Sequence, residues 1–286
     1  MMIGLITDHR EREEGAIIYP VYSRRSGGLS IGVNLFPGRK ICSFDCPYCE
    51  VFPFESDITF NMETMKAVLA SVIIEAQKNG IAIKDICFSG NGEPTMAPFF
   101  MEVTAEAAAI RAKLVPEAKL VLITNGSGLL NPVLFEFLKT AALSDLDLHI
   151  WLKFDAGTEA WYRVMDRSDI PYEKLISSIR NFAVSSAPFT IQTMLCAVKG
   201  ALPPPEETAA WIQLVTELAA LSAAGRTGGM MSLPRLRAVQ IYGKARPAPE
   251  DPLAGTVSVD LLEERAALLR LALEKVKITV PVEVYE

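Results

Sequence analysis

Short runs rich in β-branched and aromatic residues alternate with longer stretches of helical period along this chain, and that alternation leaves few folds open to it. A strand, a helix and a further strand pack as one βα unit, so their repetition predicts a parallel sheet or barrel with helices laid outside it. The strands expected span residues 30–36, 85–89, 119–124, 149–154, 189–196 and 237–242. Between the first two, apolar Met65, Val68, Leu69, Val72, Ile73 and Ala76 recur at i, i+3, i+4 spacing, which marks a helix with Asn61 as its cap and Gly80 as its stop. Further helices are expected over 99–114, 130–141, 172–183, 206–221 and 258–275, followed by a strand-like run at 277–285.

At 286 residues, half of them hydrophobic, the chain can fill one large core, and a single domain is expected. Residues 30–243 would form that core, with extensions at 1–29 and 244–286. Pro203, Pro204 and Pro205 stiffen the approach to the fifth helix, and 225–231 reads as a flexible link. The mixed charges at 8–14, which include His9, read as a solvated start. The first residues lack the basic, apolar and small-residue sections of a secretory signal, and no apolar run has the length of a bilayer span. Five cysteines, three of them in one tight cluster, do not form a disulfide framework and fit a reducing cytoplasm. The net charge of −6 speaks against holding nucleic acid by bulk electrostatics, although Arg24, Arg25, Arg39 and Lys40 could make a local basic patch.

Alternate residues of a strand face opposite sides. In the fourth strand Leu148, Ile150, Leu152 and Phe154 make an apolar face, and His149, Trp151, Lys153 and Asp155 share the other. In a parallel barrel that second face turns to the lumen, which places Lys153 and Asp155 at a carboxyl strand end, where barrel enzymes gather their working groups. The same parity sets Gln192 with Met194 and Gln240 with Tyr242.

The chemistry concentrates in Cys42-Ser43-Phe44-Asp45-Cys46-Pro47-Tyr48-Cys49. Its Cys-x3-Cys-x2-Cys spacing brings three thiolates onto one loop, one ligand short of a closed cluster or zinc site, and an open metal position is the usual mark of chemistry. Read on residues alone, a structural zinc loop, a Cys46–Cys49 redox pair and an iron–sulfur carrier or sensor all stay open. Farther on, Ser89-Gly90-Asn91-Gly92-Glu93-Pro94-Thr95 follows an apolar run, giving a strand, a glycine turn and a carboxylate at its mouth.

Together these segments resemble the radical S-adenosylmethionine (SAM) superfamily, whose Cys-x3-Cys-x-aromatic-Cys pattern is met by Cys42, Cys46, Tyr48 and Cys49. Ser23-Arg24-Arg25, Gly32 to Pro37, Phe88 to Thr95, Lys153 to Gly157 and Ala245 to Ala248 are similar to one subgroup, the wyosine-synthase-like iron–sulfur oxidoreductases, many of them without an assigned reaction. The resemblance implies an α/β fold, a partial (β/α)6 TIM-like barrel of parallel strands. It also implies a 4Fe–4S cluster on Cys42, Cys46 and Cys49, with SAM on the fourth iron. The implied reaction is reductive cleavage of SAM to a 5′-deoxyadenosyl radical that takes hydrogen from a substrate, fed by a reductant such as flavodoxin or ferredoxin.

By the same resemblance Gly90, Asn91, Gly92 and Glu93 would receive the SAM amino group. Tyr48, Asn125, Lys153, Asp155 and Gln192 would line the rest of its site, with hydrogen bonds that merely brace the barrel as the plain alternative. Arg24, Arg25, Arg167 and Arg246 are the candidate substrate contacts, and a tRNA substrate, the nucleic-acid alternative, would use the basic group Arg24, Arg25, Arg39 and Arg246 around the barrel mouth. Relatives tend to carry Asn-Arg-Pro where this chain has Asp166-Arg167-Ser168. Cys87 and Cys196 read as buried small hydrophobes, and His9 and His149 offer no general base in an obvious site.

Overall fold

The computed structural model describes residues 15–224, 235–250 and 253–286, so the readings of 8–14 with His9 and of 225–231 lie outside the described residues. The strands are β1 (Ile18–Ser23), β2 (Gly28–Val33), β3 (Ile83–Phe88), β4 (Lys119–Thr124), β5 (Leu148–Lys153), β6 (Phe189–Leu195), β7 (Ala197–Val198), β8 (Leu236–Gly243), β9 (Ala254–Gly255) and β10 (Val282–Tyr285). The helices are α1 (Met62–Lys78), α2 (Phe100–Leu114), α3 (Pro132–Leu143), α4 (Glu159–Met165), α5 (Tyr172–Val184), α6 (Pro205–Ala223) and α7 (Val259–Lys275). Eight strands form one sheet in the order β1-β2-β3-β4-β5-β6-β8-β10, and the short β7 and β9 pair separately. Pairing is parallel for β2 with β3, β3 with β4, β5 with β6, β6 with β8 and β8 with β10, and antiparallel for β1 with β2. Strands lying side by side in sequence order, with helices between them, have the α/β topology of a partial barrel.

The short β7 and β9 escape the sequence reading, and so do β1 and α4, each for a physical reason. Pro20 lies inside β1 and cannot donate to a ladder, which is tolerated because β1 ends the sheet. Helix α4 has only seven residues, too few for a period to show, and it starts on a side-chain cap, Thr158 Oγ1 accepting from Trp161 N–H at 3.2 Å. Among the described residues no helix is long and apolar enough to cross a membrane.

The described chain divides into two compact units. The first takes the residues up to Cys42, Val51–Thr124 and Ser144–His149. Here α1 begins at Asn61, whose Oδ1 accepts from Thr64 N–H at 2.8 Å, and ends before Gly80, which adopts φ +67°. Its buried stripe is Met65, Leu69, Ile73 and Ala76, narrower than expected, since Val68 is 37% exposed. The Tyr19 ring lies over Gly32, where a Cβ would come within 2.1 Å of it, and its hydroxyl meets Ser89 Oγ at 2.9 Å.

The second unit holds Ser43–Glu50, Asn125–Leu143 and Ile150–Glu286. Its strand β5 runs into a segment that two helices hold in place. Trp211 of α6 donates from Nε1 to Phe154 O at 3.1 Å, and Glu207 of the same helix accepts from Gly157 N–H at 2.5 Å and from Thr158 Oγ1 at 2.6 Å. Tyr172 of α5 donates to Gly157 O at 2.7 Å. Gly157 packs so closely that a Cβ would stand 2.1 Å from Trp211 N, a backbone atom that cannot swing away. Gly157→Ala is therefore expected to cost about 3 kcal/mol, the upper end of overpacking penalties, measured by denaturant unfolding.

Candidate cofactor site

In the first unit the segment after β3 is built around one asparagine. Asn34 Oδ1 accepts from Phe36 N–H at 3.2 Å and from Asn91 N–H at 3.1 Å, and Asn91 Nδ2 donates to Phe36 O at 2.9 Å. Gly90 and Gly92 have φ of +127° and +146°, values an L side chain rarely adopts. At Gly92 a Cβ would stand 1.8 Å from Ile41 O, so glycine is what lets the two segments touch. They pair as a short parallel bridge: Ile41 N–H donates to Asn91 O at 3.0 Å, and Glu93 N–H donates to Ile41 O at 2.8 Å. The residue bracketed in this way directly precedes Cys42. Glu93 is buried, and its Oε1 accepts from Thr95 N–H at 3.1 Å, Thr95 Oγ1 at 2.6 Å and Thr124 Oγ1 at 2.7 Å. Three donors on one oxygen fix the carboxylate's direction.

In the second unit Cys46-Pro47-Tyr48-Cys49 is a turn closed by Cys49 N–H on Cys46 O at 3.0 Å, with Pro47 at the position whose φ it presets. The turn is anchored by Tyr48, whose hydroxyl donates to Asp155 Oδ2. The other oxygen of Asp155 accepts from Met194 N–H at 2.8 Å, and Lys153 Nζ lies 3.3 Å from Oδ2. Lys153 also donates to Tyr242 Oη at 2.6 Å, and its ammonium sits 4.6 Å from the centre of the Tyr48 ring. The register that aligns Lys153 with Gln192, and Met194 with Tyr242, brings these side chains together at carboxyl strand ends. Nearer the start of the loop, Asn125 Nδ2 donates to Ser43 Oγ at 3.0 Å and Ser43 Oγ to Ser127 Oγ at 2.9 Å.

Burial lowers the affinity of Lys153 for its proton, but Asp155 and then Tyr242 and Cys46 outweigh it, so the ammonium is held well above its ordinary value. Burial, then the charge of Asp166, pushes the Cys46 thiol up, with Lys153 opposing. Burial and then Asp155 push Tyr48 up likewise. Burial and Asp166 thus disfavour a bare Cys46 thiolate, a cost that the positive charge of a bound metal offsets. Soft thiols on one short loop, with a glycine segment holding Ile41 just before it, fit an iron–sulfur cluster better than a hard cation. Among the described residues no three His, Cys, Asp or Glu side chains are gathered as for a single metal ion. A cluster takes each cysteine on a separate iron and does not need that convergence.

The other candidates fall into place individually. Gln192 donates from Nε2 to Gln240 Oε1 at 2.7 Å, and Gln240 donates to Glu283 Oε2 at 2.9 Å, a chain of amides that ties β6, β8 and β10. Arg24 and Arg25 occupy the turn that opens β2, whereas Gly90 to Glu93 follow the far end of β3, which runs parallel to β2. One strand of six residues separates the two ends by about 20 Å. Arg167 pairs with Glu250 at 2.8 Å and lies 3.9 Å from Asp45, and Arg246 pairs with Glu50 at 3.1 Å. Cys87 and Cys196 are buried, and burial raises both thiols, that of Cys196 to about 12, which leaves them unreactive. His149 is drawn down by burial beside Asp147, 3.4 Å away, at the opposite strand end from Lys153.

Sequence reasoning set Tyr242 on a face but gave it no role, and it passed over Ser43, Glu207 and the whole of α4. Tyr242 shares a face with Gln240 and Ser43 lies within the cysteine motif, so parity and adjacency pointed near both. Glu207 carries no local signal, because its partners are some fifty residues away in sequence, |i−j| 50 and 49.

No family model matches the chain. It is 29% identical over 175 residues to a UPF0026 protein of Helicobacter pylori, an alignment that covers 59% of this chain and 51% of the relative. The chain thus spans about half the length of the curated relatives it matches, 51% and 48%. Among solved structures, Streptococcus suis SuiB bound to S-adenosylmethionine superposes with a TM-score of 0.61 at 11% identity, covering 91% of this chain and 52% of SuiB. TYW1 with a lysine–pyruvate adduct bound superposes at 0.55 and 13% identity, covering 85% of this chain and 73% of TYW1. The fold of this chain is shared with both, and the chain carries the Cys-x3-Cys-x2-Cys run described above.

Proposed function

We propose that the chain is a radical SAM enzyme, with Cys42, Cys46 and Cys49 holding a 4Fe–4S cluster and Gly90 to Glu93 receiving SAM. One observation carries the reading: the bridge between Ile41 and Gly92, which ties the residue before the first cysteine to the glycine loop. When bound, the cluster and SAM supply one-electron reductive cleavage to a 5′-deoxyadenosyl radical, the species that abstracts hydrogen from a substrate. The chain's own residues position and shield. Glu93, held by Thr95 and Thr124, offers a fixed carboxylate to an ammonium group. Asp155 pins Tyr48, and through it the cysteine turn, to the end of β5. A low-potential donor such as flavodoxin or ferredoxin completes the scheme.

Anaerobically reconstituted protein given SAM and dithionite is expected to release 5′-deoxyadenosine and methionine in equal amounts, and Cys46→Ala to release neither. Iron held without any cleavage would favour a non-catalytic carrier or sensor. Neither iron nor cleavage in the parent protein would end the reading.

A further inference from the structure

Two acids flank the cysteine turn, and each meets an arginine. Asp45, just before Cys46, lies 3.9 Å from Arg167, and Glu50, just after Cys49, pairs with Arg246 at 3.1 Å. One short stretch of chain joins the two arginines: Arg167 Nη1 donates to both oxygens of Glu250, at 2.9 and 2.8 Å, and Arg246 stands shortly before that glutamate in sequence. Acids and arginines thus alternate from Asp45 through Arg167, Glu250 and Arg246 to Glu50, and the turn itself closes the ring.

The joining stretch is Arg246-Pro247-Ala248-Pro249-Glu250. Its prolines fix φ on both sides of the buried Ala248, so less freedom is lost when the charged ends find their partners. Strand β8 leads into it, and beyond it Leu253 N–H donates to Glu250 O and Lys199 N–H to Leu253 O, both at 2.6 Å, just before β9 pairs with β7. The residues beside Arg167 bond the loop directly, Asp45 N–H donating to Asp166 O at 2.9 Å and Ser168 Oγ to Ser43 O at 2.7 Å. Isolated surface ion pairs contribute little, whereas networks of half-buried ones hold. Arg246 and Glu50 are only 20% and 25% exposed as side chains, so solvent and salt screen this pair less than a free one.

We infer that residues 246–250 are a strap latched onto the Cys46–Cys49 turn, with Arg246 and Arg167 as positioning residues that keep the turn closed before and after a cluster is bound. The inference rests on the radical SAM reading above only for what the turn receives.

The test reads the turn in cluster-free protein, as the rate at which neutral iodoacetamide alkylates the part-exposed Cys46 and Cys49, with buried Cys196 as the gauge of unfolding. Arg246→Ala is expected to speed both about fivefold, the scale of one networked ion pair, and to leave Cys196 unreacted. Glu250→Gln, which opens the other latch, is expected to do the same. Removing a guanidinium by itself makes a neighbouring thiol harder to ionise and would slow alkylation, so a gain in rate reports release of the turn. Arg246→Glu combined with Glu50→Arg, which restores the pair in reverse, is expected to recover most of the parental rate. Arg180→Ala breaks a pair between α5 and α6, 2.8 Å from Glu217, and is expected to change neither rate. In reconstituted protein Arg246→Ala should pass iron to a chelator about fivefold faster than the parent. Parental alkylation rates in Arg246→Ala or Glu250→Gln, an equal gain in Arg180→Ala, alkylation of Cys196 in step with the turn, or a reversed pair as fast as the single variant would each overturn the inference. A parent protein that takes up no iron would instead overturn the radical SAM reading, and the alkylation rates would still decide the strap.

Discussion

Gly92→Ala is expected to abolish iron uptake on reconstitution and to lower stability by about 2–6 kcal/mol. Two costs combine: about 1–3 kcal/mol for a backbone region reserved for glycine, and about 1–3 kcal/mol for overpacking. The first follows from φ +146° and the second from a Cβ placed 1.8 Å from Ile41 O, 2.6 Å from Ile41 C and 3.0 Å from Ile41 N. The obstacle is main chain, so relief requires the Ile41 peptide to move, which breaks its bonds to Asn91 and Glu93 and displaces Cys42 next to it. Gly27→Ala separates strain from collision. Gly27 has φ +69° with nothing within 4 Å of an added Cβ, so this variant is expected to lose about 1 kcal/mol and to keep full iron. Denaturant unfolding and an iron assay on both variants check the pair, and normal iron in Gly92→Ala would remove the glycine loop from the account.

The second large effect is expected at Asp155. Its carboxylate, fully buried as a side chain, faces the Lys153 ammonium at 3.3 Å, and Asp155→Asn removes that charge while nearly keeping shape. Breaking a buried pair from one side leaves the other charge uncompensated, at a cost of about 3–5 kcal/mol. Lys153 would retain only its bond to Tyr242 and its place beside two rings. If stranded charge is the cause, Lys153→Met in the same background should recover part of the loss, because an apolar side chain needs no partner there. Loss of the Tyr48 anchor should persist in both, read as slower or incomplete cluster assembly. A double variant no more stable than Asp155→Asn would show that geometry, not charge, is what Asp155 supplies.

Period and parity made the sheet legible, because each reports which side of an element is buried. The six expected strands form in the expected order, and Lys153 at the end of β5 meets Asp155 just beyond it, as alternation required. What parity cannot report is a partner. Tyr48 and Asp155 are 107 residues apart, so the bond between them had no sequence trace beyond two separate motifs. Gln192 was set with Met194 by parity, and its amide donates to Gln240 on the neighbouring strand. Arg167 and its neighbours stood out as a departure from relatives, and the structure has Asp166 and Ser168 bonding the cysteine loop while Arg167 pairs with Glu250. Arg24 and Arg25 were grouped with the site by motif alone; the hairpin made by β1 carries them to the other end of β2.

The most direct test of the whole account is iron. Parent protein reconstituted without oxygen should bind about four irons with matching sulfide, and its reduced spectrum should change when SAM is added. Cys42→Ala, Cys46→Ala and Cys49→Ala should each fail to do so. A parent chain that stays free of iron after reconstitution, or cysteine variants that hold as much as the parent, would contradict it.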